Sequence, residues 1–484
     1  MDFKTVYVTL YLLFLCILSV SVIFNRKLNL AILGFSIFFQ RYNIFIPTIN
    51  KSFQLIFLLG PLVLLTNIIE DIKSTKGRNL KSKLNTYLTD QLKLPFVKWV
   101  IVLLTIDFIT IFWAYDLKFS LMGFLLRLIT LSTSLAIYLE LRKHPKSIKF
   151  FIVGLLSGQI LNLLISYVQH IDCLKNNCQM FNIIESNLLE IKCLLTNHQK
   201  IHLGDKVYSR LYGMFGDTNM HGFILGAIIL LNLSLLINAI IKVKNDTKAI
   251  LNVILVLILA IFLVSSLGAL ILTFSRSAII SFVIVASITT IYIFIKMTFH
   301  KKNFIISTIL LLPIIFLTIT INIGLNKFPE KTNRVADVLE NKFDYKTEGS
   351  AVQHILIMKE AHEIGTKGTH YMGTGIGSYQ PYYPKYFNST ITDRDPHSWI
   401  ALLFAEEGIL GILVYPSFFL YMLISIIRIV IKRKFTINSL DITFMLIPFI
   451  FILGMTFYYG FFIPMTWIWF GIANCYIDIY NRKL

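Results

Sequence analysis

A chain of 484 residues that is 56% hydrophobic, 14% aromatic and only 15% charged, with a mean hydropathy of +0.71, carries more apolar surface than a soluble core of that size could bury. Soluble globular and disordered classes are excluded. The formal charge of +19 would suggest nucleic-acid binding in a soluble chain, but the lysines and arginines collect in the connections between apolar runs, so no nucleic-acid partner is expected.

Crossing about 30 Å of hydrocarbon takes roughly 20 apolar residues. Such runs occur near 5 to 23, 28 to 46, 53 to 69, 96 to 114, 118 to 140 and 150 to 170. Others follow near 219 to 241, 249 to 272, 278 to 295, 304 to 322, 398 to 427, 440 to 459 and 461 to 479. Gln40 and Arg41 interrupt the second run, which leaves 12 or 13 transmembrane helices and an open N-terminal orientation. The expected fold class is therefore an all-α, polytopic integral membrane protein, one membrane domain over 1–484 without internal repeats. Residues 1 to 23 lack the basic start and small-residue cleavage site of a signal peptide.

Positive charge alternates along the connections. Lys73, Lys76, Arg78, Lys81 and Lys83 follow the third run, Arg142, Lys143, Lys146 and Lys149 the fifth, and Lys242, Lys244 and Lys248 the seventh. Lys301 with Lys302, Arg428 with Lys432, Arg433 and Lys434, and Arg482 with Lys483 continue the series. These are expected to be cytoplasmic, with the C-terminus. The same rule puts two long polar segments, 171–218 and 323–397, outside as the first and second extracytoplasmic loops. Cys173, Cys178 and Cys193 share the first of them, where one disulfide with one thiol left over is expected. A metal site adding His198 or His202 fits no standard zinc spacing.

Polar residues that could carry chemistry gather where spans meet these loops. SRLYGMFGDTNMHGF, residues 209 to 223, contains Arg210, Asp217, Asn219 and His221; a turn with Asp217 or Asn219 as helix cap accounts for the glycines and the aspartate, but not for Arg210 or His221. LTFSRSAII, residues 272 to 280, places Arg276 in a tight hairpin, either as a snorkelling interfacial residue or as an anion clamp. TDRDPHSWIALLFAEEGILGILVY, residues 392 to 415, puts His397 at the threshold of a span, with Asp395 as the expected N-cap and Pro396 as the first helical residue. At about 100° per residue, Ala401, Phe404, Gly408, Gly411 and Tyr415 share the face of His397, and Glu407 is nearer to it than Glu406. In GTGIGSY, Gly373, Gly375 and Gly377 are expected to shape a loop turn rather than a dinucleotide site. Inside the membrane, Asp107 and Arg127 lie at similar depth, roughly 10 to 14 Å from the short turn at 115 to 117, and could pair.

RLYGMFGDTNMHGFIL, LTFSRSAII, MGTGIGSYQPYY and DPHSWIALLFAEEGILGIL occur in the order of an Arg-Gly-Asn segment, a second arginine motif, a glycine turn and a His-led final motif. Over roughly residues 96 to 430 the chain thus resembles the O-antigen ligase and O-antigen polymerase superfamily, which includes exopolysaccharide and teichuronic acid polymerases. It departs from many relatives in GSAVQHILIMKEA, where His354 stands in place of an arginine, and in having Ser398 after His397. The resemblance implies a glycosyltransferase of the bacterial plasma membrane, active on the extracytoplasmic side. It would take a glycan from undecaprenyl pyrophosphate to an acceptor hydroxyl, in company with a flippase and a chain-length regulator.

The residue chemistry suits that reaction. A departing pyrophosphate calls for guanidinium groups, which points to Arg210 and Arg276, and an acceptor hydroxyl must lose a proton, which points to His397. Asn219, His221, His354 and Glu407 are the expected substrate-binding residues. No metal or other cofactor is expected, because two arginines can supply the electrostatic stabilisation. Two further readings stay open: a lipid-linked oligosaccharide flippase, which would place its key charges mid-span within repeated halves, and a ligase passing the glycan to another acceptor.

Overall fold

The computed structural model describes residues 25–39, 43–46, 51–74, 79–175, 200–203, 206–215, 217–243, 249–299, 351–390, 395–458 and 462–482. The protein is an all-α polytopic membrane protein. Among the described residues, seven helices are long and apolar enough to cross a membrane.

In chain order the helices are α1 (Arg26–Ser36), α2 (Leu55–Ser74), α3 (Leu80–Leu92), α4 (Pro95–Ile109), α5 (Leu117–Lys143), α6 (Ile148–Lys175), α7 (Thr218–Val243) and α8 (Ala249–Leu272). There follow α9 (Arg276–Phe299), α10 (Ala351–Glu363), α11 (Tyr379–Phe387), α12 (Trp399–Lys432), α13 (Ser439–Leu446), α14 (Pro448–Gly454) and α15 (Pro464–Asn481). Two short antiparallel hairpins accompany them: β1 (Asn43–Ile46) with β2 (Lys51–Gln54), and β3 (Lys200–Leu203) with β4 (Lys206–Ser209).

The seven candidate spans coincide with α4 to α9 and α12, where apolar runs were expected. The run at 28 to 46 does not form one long helix: α1 has 11 residues, and residues 43 to 46 turn into a hairpin strand. The run at 440 to 459 is divided between α13 and α14, because Pro448 has no N–H to continue the first helix. The runs at 5 to 23 and 304 to 322, and the pairing of Cys173, Cys178 and Cys193, lie outside the described residues.

Short turns make neighbouring spans antiparallel. Asp116 accepts from the Phe119 N–H at 3.1 Å and starts α5 directly after α4 and its terminal 3₁₀ turn. α1 packs on α6, α2 and α15 on α5, and α8 on α7. α15 is the central post, buried from Pro464 to Ile477 with Trp467 and Trp469 wholly enclosed. The bundle therefore has a basic end, carrying Arg142, Lys143, Lys432, Arg433 and Arg482, and a far end, where the connections at 114–116, 210–215, 273–275, 364–390 and 395–398 meet.

Candidate active site

At the far end, Asp217 caps α7 by accepting from the Asn219 and Met220 N–H groups at 2.9 and 2.8 Å. This turns Asn219 toward its neighbours. The Asn219 side-chain oxygen accepts from the Ser275 hydroxyl at 2.8 Å and from the Arg210 guanidinium at 3.5 Å. Arg210 also donates through Nε to the Thr273 carbonyl at 2.8 Å, and its backbone neighbour Leu211 donates to Leu272 O at 3.0 Å. The first arginine motif is thereby strapped to the second, although 63 residues separate the bonded groups.

Arg276 is the first residue of α9 and is exposed. It is close enough to Arg210 and to His354 to act on the charge of both. Burial lowers the Arg210 pKa, Asp217 works against that change and Arg276 adds to it; a guanidinium still keeps its proton. His354, on α10, meets His397 edge to face with ring centroids 4.4 Å apart. Burial first, then His397 and Arg276, push the His354 pKa down to about 4, so this imidazole is neutral at pH 7 and can accept a hydrogen bond.

His397 does not lie in a first helical turn. Its φ of 50° is left-handed, and Ser398 is the cap of α12, accepting from the Ala401 N–H at 3.3 Å. The cap expected at Asp395 is corrected accordingly: Asp395 instead accepts from the Gln380 side chain at 3.2 Å. A histidine held in this uncommon conformation is fixed by its surroundings rather than by helix geometry.

The other expected binding residues stand apart from this group. His221 is wholly buried, 3.0 Å from the Asn162 side-chain nitrogen and stacked on Phe215. It belongs to a polar seam in which Asn162 also accepts from the Met214 N–H at 2.9 Å, holding the 211–215 turn on α6. Glu407, also wholly buried, pairs with Arg127 at 3.1 Å. Asp107 and Arg127 do meet, at 4.0 Å, through a bridge: Arg127 donates to the Tyr415 hydroxyl at 2.8 Å, which donates to Asp107 at 3.0 Å. The Arg127 guanidinium also lies 3.0 Å from the Phe462 ring centroid.

The glycine turn packs against α12 beside Glu407. Gly373, Gly375 and Gly377 all have left-handed φ, of 80°, 89° and 71°. The turn docks where α12 breaks, at Gly408 (φ 63°, ψ −147°). The break orphans backbone groups that the turn then satisfies: the Thr374 and Gly375 N–H groups donate to Ala405 O and Glu406 O, both at 2.8 Å, and the Ile409 N–H donates to Tyr371 O at 3.0 Å. The wheel drawn from His397 to Tyr415 fails past this point, because it assumes an unbroken helix. Among the described residues no group of three or more His, Cys, Asp or Glu is arranged to hold a metal ion.

Two arginines and two histidines are thus brought to one end of a multi-pass membrane protein: Arg210 from the connection before α7, Arg276 from the start of α9, His354 from α10 and His397 from the segment before α12. Residues 261–415 match the family model described as O-antigen ligase, so the resemblance read from the motifs holds for that segment, which includes Arg276, His354 and His397 and leaves out Arg210 and Asn219. That match supports membrane glycosyl transfer of the O-antigen ligase and polymerase type. No curated protein matches the chain.

Proposed function

We propose that this protein polymerises oligosaccharide repeat units carried on undecaprenyl pyrophosphate, on the extracytoplasmic side of a bacterial plasma membrane, with 171–218 and 323–397 as its two outer loops. The observation that carries the reading is the convergence of Arg210, Arg276, His354 and His397 at the far end of the bundle.

In the reaction, an acceptor hydroxyl attacks the anomeric carbon of the lipid-linked glycan. The C–O bond to pyrophosphate breaks and undecaprenyl pyrophosphate leaves with the electron pair. Arg276, exposed at the start of α9, and Arg210, oriented by Asn219 and Thr273, are suited to hold the pyrophosphate oxygens. His397 takes the hydroxyl proton, with neutral His354 beside it. Asn219 acts on the substrate through Arg210, while His221 and Glu407 support the site from within the bundle.

Reconstituted protein given undecaprenyl-pyrophosphate repeat units tests this. The unaltered protein should yield a ladder of lengthening chains. His397→Ala should still bind the lipid-linked donor while losing about 10² to 10⁴-fold in rate, the usual span of general-base assistance. Near-normal polymerisation by that variant would overturn the assignment. A ligase remains the second reading, favoured by the description of the matching family; it would give one transfer to a distinct acceptor and no ladder.

A further inference from the structure

α3 begins and ends at the basic end. It follows α2, whose last turn is anchored there by the ion pair of Asp71 with Lys143, and it leads through Leu94 into Pro95, the first residue of α4. Its 13 residues span about 20 Å at 1.5 Å per residue, too little to cross the membrane, and both ends lie on one side. α3 therefore runs along the boundary rather than through it. Asn79 caps it by accepting from the Ser82 N–H at 2.9 Å, so the helix starts as an independent element.

The three sides of this helix face three different surroundings. Tyr87 is buried against the bundle, with burial and then Asp71 pushing its pKa up to about 12, and Lys83 donates to the Lys73 carbonyl at 3.3 Å. Ser82, Asn85, Thr86 and Thr89 are exposed polar residues. Between these sides, Leu80, Leu84, Leu88 and Leu92 are 72%, 39%, 47% and 48% exposed. Four-residue steps advance about 40° each, so the four leucines form one stripe beside the Tyr87 side. Lys81 lies within that stripe's angular range, where its stem can lie on apolar surface while the ammonium reaches outward.

We propose that α3 is an in-plane membrane helix whose leucine stripe enters the leaflet at the basic end and whose Lys81 and Lys83 engage anionic lipid headgroups. Continuity with α2 and with the span α4 identifies the occupant, because a stripe of leucines at the level where α2 ends and α4 begins meets acyl chains. The lysines match the negative surface of such a leaflet. Lys93 is already paired with Asp90 at 2.8 Å and contributes less.

The proposal is tested with full-length protein in which Cys16, Cys173, Cys178 and Cys193 are replaced by serine, the buried Cys475 is kept, and one further cysteine is introduced at Leu84, Asn85, Leu88 or Thr89 and given a polarity-sensitive fluorophore. In vesicles carrying brominated acyl chains, labels at 84 and 88 should be quenched several-fold more than labels at 85 and 89. Adding phosphatidylglycerol to phosphatidylcholine vesicles should deepen the label at 88. Lys81→Gln with Lys83→Gln should abolish that deepening without changing the difference between the two sides. Equal quenching at all four positions would overturn the in-plane orientation. Blue-shifted but unquenched labels at 84 and 88 would show that protein covers the stripe, which also overturns it. A lysine variant that still responds to phosphatidylglycerol would remove the headgroup contact.

Discussion

Arg127 holds together groups that are far apart in sequence, and its charge is the one on which the inner bundle depends most directly. Neutralising it leaves Asp107 and Glu407, both fully buried, facing each other without a cation. Breaking a buried pair from one side typically costs about 3 to 5 kcal/mol. Arg127→Gln should therefore give little monodisperse protein on size exclusion in detergent. Pairing of Asp107 with Arg127 alone would let the Asp107→Asn, Arg127→Gln double variant recover. Because Glu407 shares the arginine, recovery is expected only when Glu407→Gln is added; a double variant as abundant as the unaltered protein would refute the three-way pairing. The equal depth of Asp107 and Arg127 was legible from their distance to one short turn. The Glu407 and Tyr415 partners were not: a wheel started at His397 begins outside the helix, and carried across Gly408 it mispoints Tyr415 as well. His354 adds a pH dependence of known sign. Its folded pKa, about 4, lies below the ordinary value near 6.5, so its stabilising contribution is complete above about pH 6.5 and is lost as pH falls toward 4. After correction for the slower intrinsic exchange at lower pH, protection across Ala351–Glu363 should fall on going from pH 7 to pH 5, and less so in His354→Asn; an identical fall in both would place the effect elsewhere.

At the scale of elements, the junction of the glycine turn with α12 governs the candidate site. Gly408 occupies a backbone region open essentially to glycine, and a Cβ there would strike the Tyr371 carbonyl. Gly408→Ala should cost at least about 1 to 3 kcal/mol from backbone strain alone and should detach the turn. The expected result is lower thermal stability in detergent, faster proteolysis within 364–378 and loss of transfer; unchanged stability would mean that the chain tolerates a straight α12. The turn itself could be read from its glycines. Its docking partner could not, because Gly408 looks like one small residue among several on a helix face. The shift of the cap from Asp395 to Ser398 has a similar origin: Asp-Pro is a good helix start in isolation, but the left-handed His397 lies between it and the helix.

For the whole molecule, composition and apolar runs were enough to establish an all-α bundle in the membrane, and the run boundaries agree with α4 to α9 and α12 within a few residues. Sidedness comes from the distribution of lysine and arginine, and it is open to direct measurement. Single cysteines at the exposed residues 367 and 390 should react with a membrane-impermeant maleimide in intact cells, whereas one at residue 434 should react only after lysis; the reverse pattern would invert the topology. What sequence spacing could not supply was the meeting of Arg210, Arg276, His354 and His397, since each comes from a different part of the chain and only tertiary packing unites them.

The break in α12 also bears on how the protein is made. A helix delivered alone into hydrocarbon must satisfy its own backbone, and α12 cannot do so around Gly408, where the Ala405 and Glu406 carbonyls rely on Thr374 and Gly375. Those donors are in turn seated on α4 and α5 through Tyr115, whose N–H donates to Thr374 O at 2.8 Å, and through Ser120, whose hydroxyl donates to Ile376 O at 2.5 Å. All of these groups leave the ribosome before α12 does. Assembly is thus expected to run in the order of synthesis, with the last long span lowered onto a waiting scaffold. A chain whose halves were reversed by circular permutation would have to insert α12 with those carbonyls bare.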